Sequence, residues 1–407
     1  RALLGRNREK SQLIMETLRG IKVLDFTHLL AGPYCTMVLG DMGAEVVKVE
    51  PLKGDQLRGL GTVFLEEESA CFLSVNRNKK SIALDLASEQ GREIALKMLE
   101  SSDILVENFR PGTMDKLGLN YTEACQRNPQ IIYCSISAYG QEGPLRDKPA
   151  ADTIIQGVSG IMSITGEPEA PPLRVGAPIS DMFGACYALQ GILSALYVRS
   201  QTGKGQKVEV ALLDSLIAAQ TPIAGMYFAQ NQEPARLGNV SPAAAPAQTF
   251  KTRDDFINVS VGESSWPGFC RALDLKHLVE DQRFSSNTRR MENRDLLIPI
   301  LETIFLTKTT HAWIEFLEEA NVICGPINDY DELFKESQVF NNQMVVEMRH
   351  PKAGSLRMTG NPVKLSQTPW SLRLPPPLLG EHSSTVLQEL GYSPKEIKSL
   401  LTRKVIK

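Results

Sequence analysis

A single acid, Asp181, separates a proline-rich, largely apolar stretch (residues 171–180) from a long run without any charge (residues 182–198). The charge-free run predicts a buried helix, so the Asp181 carboxyl group would lie at a helix N-terminus. There, free backbone N–H groups and the helix dipole favour the ionised form. An ionised carboxylate in an apolar site can attack an activated carbonyl carbon. From this segment alone, Asp181 is either the N-cap of its helix or a nucleophile.

Two short segments combine cations with amide or aromatic side chains. Residues 76–80 read Asn-Arg-Asn-Lys-Lys and precede a predicted strand, whereas residues 107–112 read Glu-Asn-Phe-Arg-Pro-Gly and follow one. Open α/β sheets bind ligands at the carboxyl ends of their strands. A ring for stacking, an amide for hydrogen bonding and cations for phosphates suit an adenine nucleotide. A solvated basic loop and a strand-ending turn explain each segment equally well, but together the two favour a nucleotide-bearing ligand.

Other ligand motifs are incomplete. The loop after the first predicted strand lacks G-x-G-x-x-G, residues 202–205 lack the first glycine of a P-loop, and residues 157–160 miss G-x-S-x-G. The sequence therefore disfavours a nicotinamide or flavin cofactor, ATP-driven ligation and a serine hydrolase. The five histidines lie far apart and no H-E-x-x-H occurs, so no metal site is expected.

Size, charge and cysteine usage limit the class of protein. The 407 residues predict two or three domains, and a net charge of −3 lacks the basic surface that nucleic acid requires. The charge-free run is short for a membrane span and is interpreted as core. Seven scattered cysteines without C-x-x-C predict reduced thiols in a cytosol-like or mitochondrial compartment. The basic residues among positions 1–10 are expected to mark an organelle-targeting remnant or an expression boundary.

Periodicity predicts a parallel α/β domain followed by a smaller α+β domain. Strands are expected at residues 21–26, 44–50, 81–86, 104–106, 131–137 and 208–213, with helices at 34–39, 88–100 and after Asp181. The predicted domains are a tail (1–17), a large α/β domain (18–215), a linker (216–248), a small α+β domain (249–335) and a C-terminal segment (336–407). The linker is predicted from small residues and prolines near its end.

Several of these segments together resemble the family III CoA-transferases, which include formyl-CoA and carnitine CoA-transferases and are related to α-methylacyl-CoA racemases. The resemblance spans about residues 18–400 and is carried by Gly20-Ile-Lys-Val-Leu-Asp-Phe26, Ala31-Gly-Pro33, residues 41–51, 107–112 and 139–144, Asp181-Met-Phe-Gly184, Gly203-Lys-Gly-Gln206, and residues 378–383 and 390–393. It is strongest to members that pass CoA from succinyl-CoA to glutarate or 3-hydroxy-3-methylglutarate in mammalian mitochondria.

The resemblance implies a mechanism and a set of partners. Asp181 would be the nucleophile, forming first an aspartyl anhydride and then an aspartyl-CoA thioester. CoA thioesters would be substrates rather than a tightly bound cofactor, and the location would be the mitochondrial matrix. The fold implied is a Rossmann-like large domain plus a smaller one, in an interlocked homodimer of ring-like subunits whose C-terminal residues return to the large domain. CoA would be held near Asn78, Lys79, Asn108, Phe109, Arg110, Lys116 and Tyr139.

One position separates transfer from racemisation. In the related racemases a histidine works with the aspartate as an acid and base pair, and this chain has Ala151 at that place, with no histidine between His28 and His277. The sequence favours transfer, while an acyl-CoA racemase and a CoA-binding dimer without turnover stay open as alternatives. A dicarboxylate acceptor needs a cation for its far carboxylate. Arg174 is the candidate, although it also reads as a surface arginine in a proline-rich turn.

Overall fold

The computed structural model of the chain describes residues 16–407, so the basic N-terminal residues on which the targeting prediction rests lie outside the described residues. The chain divides into two compact units. Among the described residues, unit 1 comprises residues 16–161, 175–226 and 338–407, and unit 2 comprises residues 162–174 and 227–337.

The strands, numbered in chain order, are β1 (Lys22–Asp25), β2 (Glu45–Glu50), β3 (Phe64–Leu65), β4 (Glu68–Ser69), β5 (Lys79–Ala83), β6 (Ile104–Glu107), β7 (Ile132–Ser137), β8 (Gln206–Ala211), β9 (Ala247–Lys251), β10 (Phe256–Ser260), β11 (Ile323–Pro326), β12 (Val345–His350) and β13 (Gly354–Thr359).

The α-helices are α1 (Ala31–Asp41), α2 (Ala70–Ser74), α3 (Glu89–Glu100), α4 (Thr113–Leu117), α5 (Tyr121–Arg127), α6 (Asp152–Val158), α7 (Ile179–Thr202), α8 (Leu212–Ala219), α9 (Thr221–Gln230), α10 (Trp266–Ala272), α11 (His277–Glu280), α12 (Asn287–Glu292), α13 (Arg294–Phe305), α14 (Thr310–Glu319), α15 (Tyr330–Leu333), α16 (Ser337–Asn341), α17 (Ser383–Glu389) and α18 (Pro394–Thr402). Short 3-10 turns lie at Gln56–Gly59 and Ile161–Ser163.

Unit 1 is built on a parallel sheet with the order β5-β2-β1-β6-β7-β8. Successive residues of a strand point to opposite faces, so Val23 and Leu24 of β1 belong to two different hydrophobic clusters. Helices α3 and α5 cover one face, and α1 and α7 cover the other. The predicted Rossmann-like fold is confirmed.

The order of the strands reverses between β1 and β6. The chain moves outward through β2 and β5 on one side of β1, and through β7 and β8 on the other side of β6. In open α/β sheets, ligands bind at this switch point, next to the carboxyl ends of the two central strands. The loops that follow β1 and β6 therefore begin at the same edge of the sheet.

The charged residues of helix α7 are Asp181 in its first turn and Arg199 in its last, and residues 182–198 between them carry no charge. The helix is long and apolar enough to span a membrane by length and composition, yet it packs on α1, α8 and the strands β7 and β8. Ala185, Ala188 and Ile192 are buried, but Tyr197 is 70% exposed. The prediction of a wholly buried helix is therefore wrong for the single chain, because only one face of α7 reaches the core.

The C-terminal residues 338–407 belong to unit 1. Helices α17 and α18 add Leu387 and Leu400 to the cluster under β5 and β6, and Leu84 forms a β-bridge with Ile406.

Unit 2 is an α+β unit with an antiparallel sheet in the order β11-β10-β9. Its core includes the stacked rings of Phe250 and Phe305 and the buried Trp313. The range predicted as a linker contains helix α9 and the end of α8, since its first half is apolar and only its second half carries the small residues and prolines. The domain boundaries themselves stay a prediction.

Candidate active site

Asp181 lies in the first turn of α7 but does not cap it. The helix begins two residues earlier, at Ile179, and the N-cap Pro178 makes no side-chain capping bond. Asp152, the first residue of α6, supplies the missing acceptor: its Oδ1 accepts hydrogen bonds from the Ser180 backbone N–H (3.0 Å) and hydroxyl group (2.8 Å). The N-cap interpretation of Asp181 is therefore wrong, and its carboxyl group is left for another partner.

That partner is the N-terminus of a different helix. The backbone N–H of Ala31, the first residue of α1, faces the Asp181 carboxyl group and lowers its pKa by hydrogen bonding, and both residues line the same cavity. The N-cap of α1, Leu30, has no side-chain oxygen to accept the N–H groups of this turn. A helix N-terminus carries a partial positive charge and free N–H groups. The dipole that stabilises charge on Asp181 thus comes from α1 as well as from its own helix.

Burial opposes this stabilisation. Removal from water, and then the charge of the nearby Asp152, raise the pKa of Asp181 to about 6, while the Ala31 hydrogen bond lowers it. The carboxyl group is still mostly ionised at neutral pH, because that pH lies above its pKa. It is an anion held in a partly dry site, which is the state that a carboxylate nucleophile needs.

Asp181 faces a cavity of about 520 Å³ at the switch point of the sheet. One wall is the loop after β1 (residues 28–31), and another is the loop after β6 (residues 108–111). The segment after β7 contributes Arg146 and residues 148–152, and Leu212 of α8 also lines the cavity. A cavity of this size with one reactive anion and several polar groups is typical of a ligand site.

Three of the predicted CoA-binding residues line this cavity together with Asp181: Asn108, Phe109 and Arg110. The Phe109 ring lies 5.1 Å from the ring of His28, and Arg110 is an exposed cation. The Asn108 amide is engaged on both sides by the protein: its Oδ1 accepts the His28 N–H at 2.8 Å, and its Nδ2 donates to the His28 carbonyl at 2.8 Å.

Asn78 and Lys79 do not line the cavity. The Lys79 ammonium is fully buried, 3.0 Å from Asp25 Oδ2, and burial lowers its pKa to about 8. Asn78 donates from Nδ2 to Asp41 Oδ1 and to a backbone carbonyl, both at 2.8 Å. A solvated loop does not describe these side chains, because they are buried and Arg77 and Lys79 pair with Asp41 and Asp25. The CoA-binding role of Asn78 and Lys79 stays a prediction.

The remaining predicted residues are not among those that line the cavity. Lys116 is exposed on α4, and the Tyr139 hydroxyl is buried without a hydrogen-bond partner among the described residues. Arg174 belongs to unit 2, whereas Asp181 belongs to unit 1. The roles predicted for these three residues stay predictions.

Several cavity residues were not singled out from the sequence, namely His28, Gln56, Arg146, Lys148 and Asp152. The position of His28 just after the first strand is a signal that could have found it, because the carboxyl end of a central strand is a ligand-binding edge. Arg146 and Lys148 follow the end of β7 in the same way. Asp152 could not have been found, since its effect on Asp181 depends on how α6 packs on α7.

Metal-binding groups are not evident in the part of the chain that the structure describes. Over residues 16–407, no cluster of three His, Cys, Asp or Glu side chains could hold an ion. The cysteines of this region are free thiols.

Comparison with known proteins places this site in a family. The sequence profile of CoA-transferase family III matches residues 18–383. The succinyl-CoA:glutarate CoA-transferase of Mus musculus is 39% identical over 395 residues, covering 96% of this chain and 91% of that protein. The acetyl-CoA:oxalate CoA-transferase of Acetobacter aceti is 40% identical over 350 residues, covering 85% and 88%.

A solved structure agrees with the sequence comparison. A CaiB/BaiF family protein from Brucella suis superposes with a TM-score of 0.83 at 34% identity, covering 92% of this chain and 99% of that one. The two named relatives differ in donor and acceptor at nearly equal identity, so likeness alone fixes the class of reaction and not the substrate. On this evidence, the chain belongs to CoA-transferase family III.

Proposed function

We propose that this CoA-transferase moves CoA from succinyl-CoA to a dicarboxylate such as glutarate or 3-hydroxy-3-methylglutarate, with Asp181 as the nucleophile. The observation that carries the proposal is an ionisable carboxyl group that lines a cavity together with the first residue of α1, whose N–H lowers the pKa of that group. Likeness to succinyl-CoA:glutarate CoA-transferases at 39% identity supports the choice of donor and acceptor.

The first half-reaction consists of two displacements. An Asp181 carboxylate oxygen attacks the thioester carbonyl carbon of succinyl-CoA, the C–S bond breaks, and CoA thiolate leaves an aspartyl–succinyl anhydride. The thiolate then attacks the aspartyl carbonyl carbon, and succinate leaves. The product is an aspartyl-CoA thioester. Covalent catalysis of this kind divides one difficult exchange into easier steps.

The second half-reaction reverses the order. The acceptor carboxylate attacks the aspartyl thioester and expels CoA thiolate, and the thiolate then attacks the acceptor carbonyl of the new anhydride. The new acyl-CoA leaves and Asp181 is again a carboxylate. Each step exchanges one anion for another, so no proton carrier is needed. The Ala31 N–H is the proposed donor to the oxygen of Asp181 while negative charge develops on it.

An isotope experiment tests this mechanism directly. In the second anhydride, the bridging oxygen comes from the acceptor, and it stays on Asp181 when the thiolate attacks the acceptor carbonyl. Turnover with 18O-labelled glutarate in ordinary water should therefore add 2 mass units to the tryptic peptide 175–199, in which Asp181 is the one acidic side chain. The Asp181→Asn variant should form neither glutaryl-CoA nor labelled peptide. Glutaryl-CoA without label would refute the covalent route.

Recognition of the far carboxylate of the acceptor has two candidate sources. Arg174 is the residue predicted from the sequence, and Arg146 and Lys148 are cations that line the cavity in unit 1. If one of these selects a dicarboxylate, its replacement by Ala should raise the KM for glutarate while the KM for a monocarboxylate acceptor stays the same. An equal rise for both acceptors would assign that cation to CoA instead.

Racemisation is the competing activity, and one observation keeps it testable. Ala151 lines the cavity where a racemase would carry its histidine, but His28 lines the same cavity. Burial lowers the pKa of His28 below its usual value, so a neutral imidazole faces the site at pH 7. Racemisation removes the α-hydrogen of an acyl-CoA, and CoA transfer does not. Deuterium uptake at the α-carbon of a 2-methylacyl-CoA in D₂O would establish racemisation, and no uptake with active transfer would exclude it.

We also propose that the protein is a homodimer in the mitochondrial matrix. The outward faces of α6, α7 and α8 expose Ile154, Tyr197 and Ile217 by 48%, 70% and 49%. Exposed apolar surfaces of this extent mark interaction sites in soluble proteins. Light scattering of wild type beside Tyr197→Glu tests the dimer: a monomeric wild type would refute it.

A further inference from the structure

The loop between β1 and α1, residues 26–30, leads into Ala31, the first residue of α1, which lines the cavity together with Asp181. Leu29 within this loop has φ of +62°, a left-handed conformation that is strained for a residue with a side chain. Such strain persists where surrounding contacts fix the backbone. The groups that contact this loop therefore determine whether Leu29 keeps this conformation.

Side chains from three other segments bond to the backbone of the loop. Lys48 of β2 donates to the Thr27 carbonyl at 2.6 Å, and Asn108 clamps both backbone groups of His28. Asp55 Oδ1 accepts the Leu29 N–H at 3.2 Å. Leu29, the strained residue, is thus held by a carboxylate.

Asp55 is itself fixed by a buried ion pair. Its Oδ2 lies 2.8 Å from Lys48 Nζ, and both side chains are no more than 1% exposed. Its Oδ1 also accepts the Leu57 N–H at 2.9 Å. One buried pair therefore holds the loop at two points, at Thr27 through Lys48 and at Leu29 through Asp55.

We infer that Asp55, fixed by Lys48, is a positioning residue for the transfer reaction: it keeps Leu29 left-handed and so aims the Ala31 N–H at the Asp181 carboxyl group. This inference rests on the proposed function of Asp181. Asp55 does not touch the reacting atoms. Its effect passes through three residues of backbone to the N-terminus of α1.

Asp55→Ala removes the acceptor of the Leu29 N–H. We expect kcat to fall on the order of 10- to 100-fold, since misplacement of a catalytic group by about 1 Å can cost that much, with little change in the KM for succinyl-CoA. Asp55→Asn keeps an oxygen for the Leu29 N–H but loses the ion pair with Lys48, so its kcat should lie between those of wild type and Asp55→Ala. Leu29→Pro, which forbids a positive φ and removes the N–H, should reproduce the loss of kcat even if Asp55→Ala does not fold.

A second substitution separates positioning from general damage. Glycine adopts a positive φ without strain, so Leu29→Gly added to Asp55→Ala should restore part of kcat. A matched control is Asp41→Asn, which removes a carboxylate from another buried pair, with Arg77 at 2.7 Å, away from this loop. It should lower the thermal midpoint without altering the pH profile.

The direction in which the acid limb of the pH profile moves separates loss of positioning from loss of the Asp55 charge. Loss of the Ala31 hydrogen bond should raise the pKa of Asp181, so the acid limb of kcat/KM should move above 6 in Asp55→Ala. Deleting a negative charge would by itself lower the pKa of Asp181. The ionisable groups that face Asp181 from the other cavity segments are Asp152, His28, Arg110, Arg146 and Lys148.

Hydrogen exchange measures how firmly the loop is held, without any need for turnover. In Asp55→Ala the amides of residues 27–31 should exchange faster than in wild type, and the double variant should lie closer to wild type. Unchanged exchange, an acid limb that stays or moves down, or no rescue by Leu29→Gly would overturn the role of Asp55. An inactive wild type with the expected exchange pattern would instead refute the proposed transfer and leave the loop anchoring in place.

Discussion

Asp152→Asn should shift the pH dependence of the reaction toward acid. Burial is the main reason that the pKa of Asp181 lies at about 6, and the charge of Asp152 is the second. Asparagine removes the charge and keeps an oxygen for the two hydrogen bonds from Ser180. The pKa of Asp181 should therefore fall, but it should stay above 3.8 because the carboxyl group is still buried.

The magnitude follows from the ionised fraction. If the Asp152 charge contributes about one pKa unit, equivalent to about 1.4 kcal/mol, the pKa of Asp181 falls from about 6 to about 5 in the variant. At pH 5 the ionised fraction then rises from about 9% to about 50%, and kcat/KM should rise about fivefold relative to its plateau. Above pH 8 the two profiles should coincide, because Asp181 is ionised in both.

The assay is kcat/KM for succinyl-CoA with saturating glutarate between pH 4.5 and 8.5, since this ratio reports ionisations of the free enzyme and substrate. Titration of the substrates is common to both enzymes and cancels in the comparison. Asp152→Glu, which keeps the charge, should retain the wild-type limb. His28→Gln in both backgrounds excludes the imidazole as the titrating group. An acid limb that does not move, or moves upward, would refute the coupling between the two carboxyl groups.

Three further variants test individual buried groups. Asp181→Asn should raise the free energy of unfolding relative to wild type above pH 6, by less than about 3 kcal/mol because the group is partly exposed. The native carboxyl group binds protons more tightly than the unfolded one, so the wild type loses stability as pH rises from about 4 to 6. An unchanged free energy of unfolding in urea at pH 8 would refute this. Glu107→Gln should act alike, because burial raises the pKa of Glu107 to about 7; its gain should appear at pH 8.5 and vanish at pH 4.5. Lys79→Met should lower stability by about 3 kcal/mol or more, since it leaves the buried Asp25 without its nearest cation; a raised KM for succinyl-CoA at unchanged stability would instead support the CoA-binding role predicted for Lys79.

The sequence predicted the parallel sheet because β1, β2, β6 and β7 are short runs rich in apolar residues. The strand predicted at 81–86 overlaps β5, which begins two residues earlier, at Lys79. The sequence also placed Asp181 near the start of a helix, which begins at Ile179, and the loop after β6 that it predicted to bind a ligand lines the cavity. These features depend on local periodicity and on one rule of topology, that ligands bind at the carboxyl ends of parallel strands. Features of the fold that depend only on such local rules can be predicted from the sequence.

The features that the sequence left open have a common physical origin. Residues 76–80 allowed two interpretations, a solvated basic loop or part of a nucleotide site, because five cationic or amide side chains lie together. In the folded chain Arg77 pairs with Asp41 and Lys79 pairs with Asp25, which lie 36 and 54 positions away in the sequence. A motif shows its own charges and not the charges that the fold brings to them. In the same way, the segment around Asp181 left this residue as either a helix N-cap or a nucleophile, and it could not show that the N–H that lowers its pKa belongs to α1.

The chemistry of the proposed reaction explains why this geometry needs a positioned dipole more than an acid or a base. Each of the four displacements exchanges one anion for another, so protons do not move between substrate and protein. What changes is the charge on the oxygens of Asp181, which is an anion, then an ester-like acyl group, then an anion again. A backbone N–H at a helix terminus can follow these changes without altering its own charge, but only if its direction is fixed. The strained Leu29 and the buried pair beneath it are, in this view, the part of the site that fixes that direction.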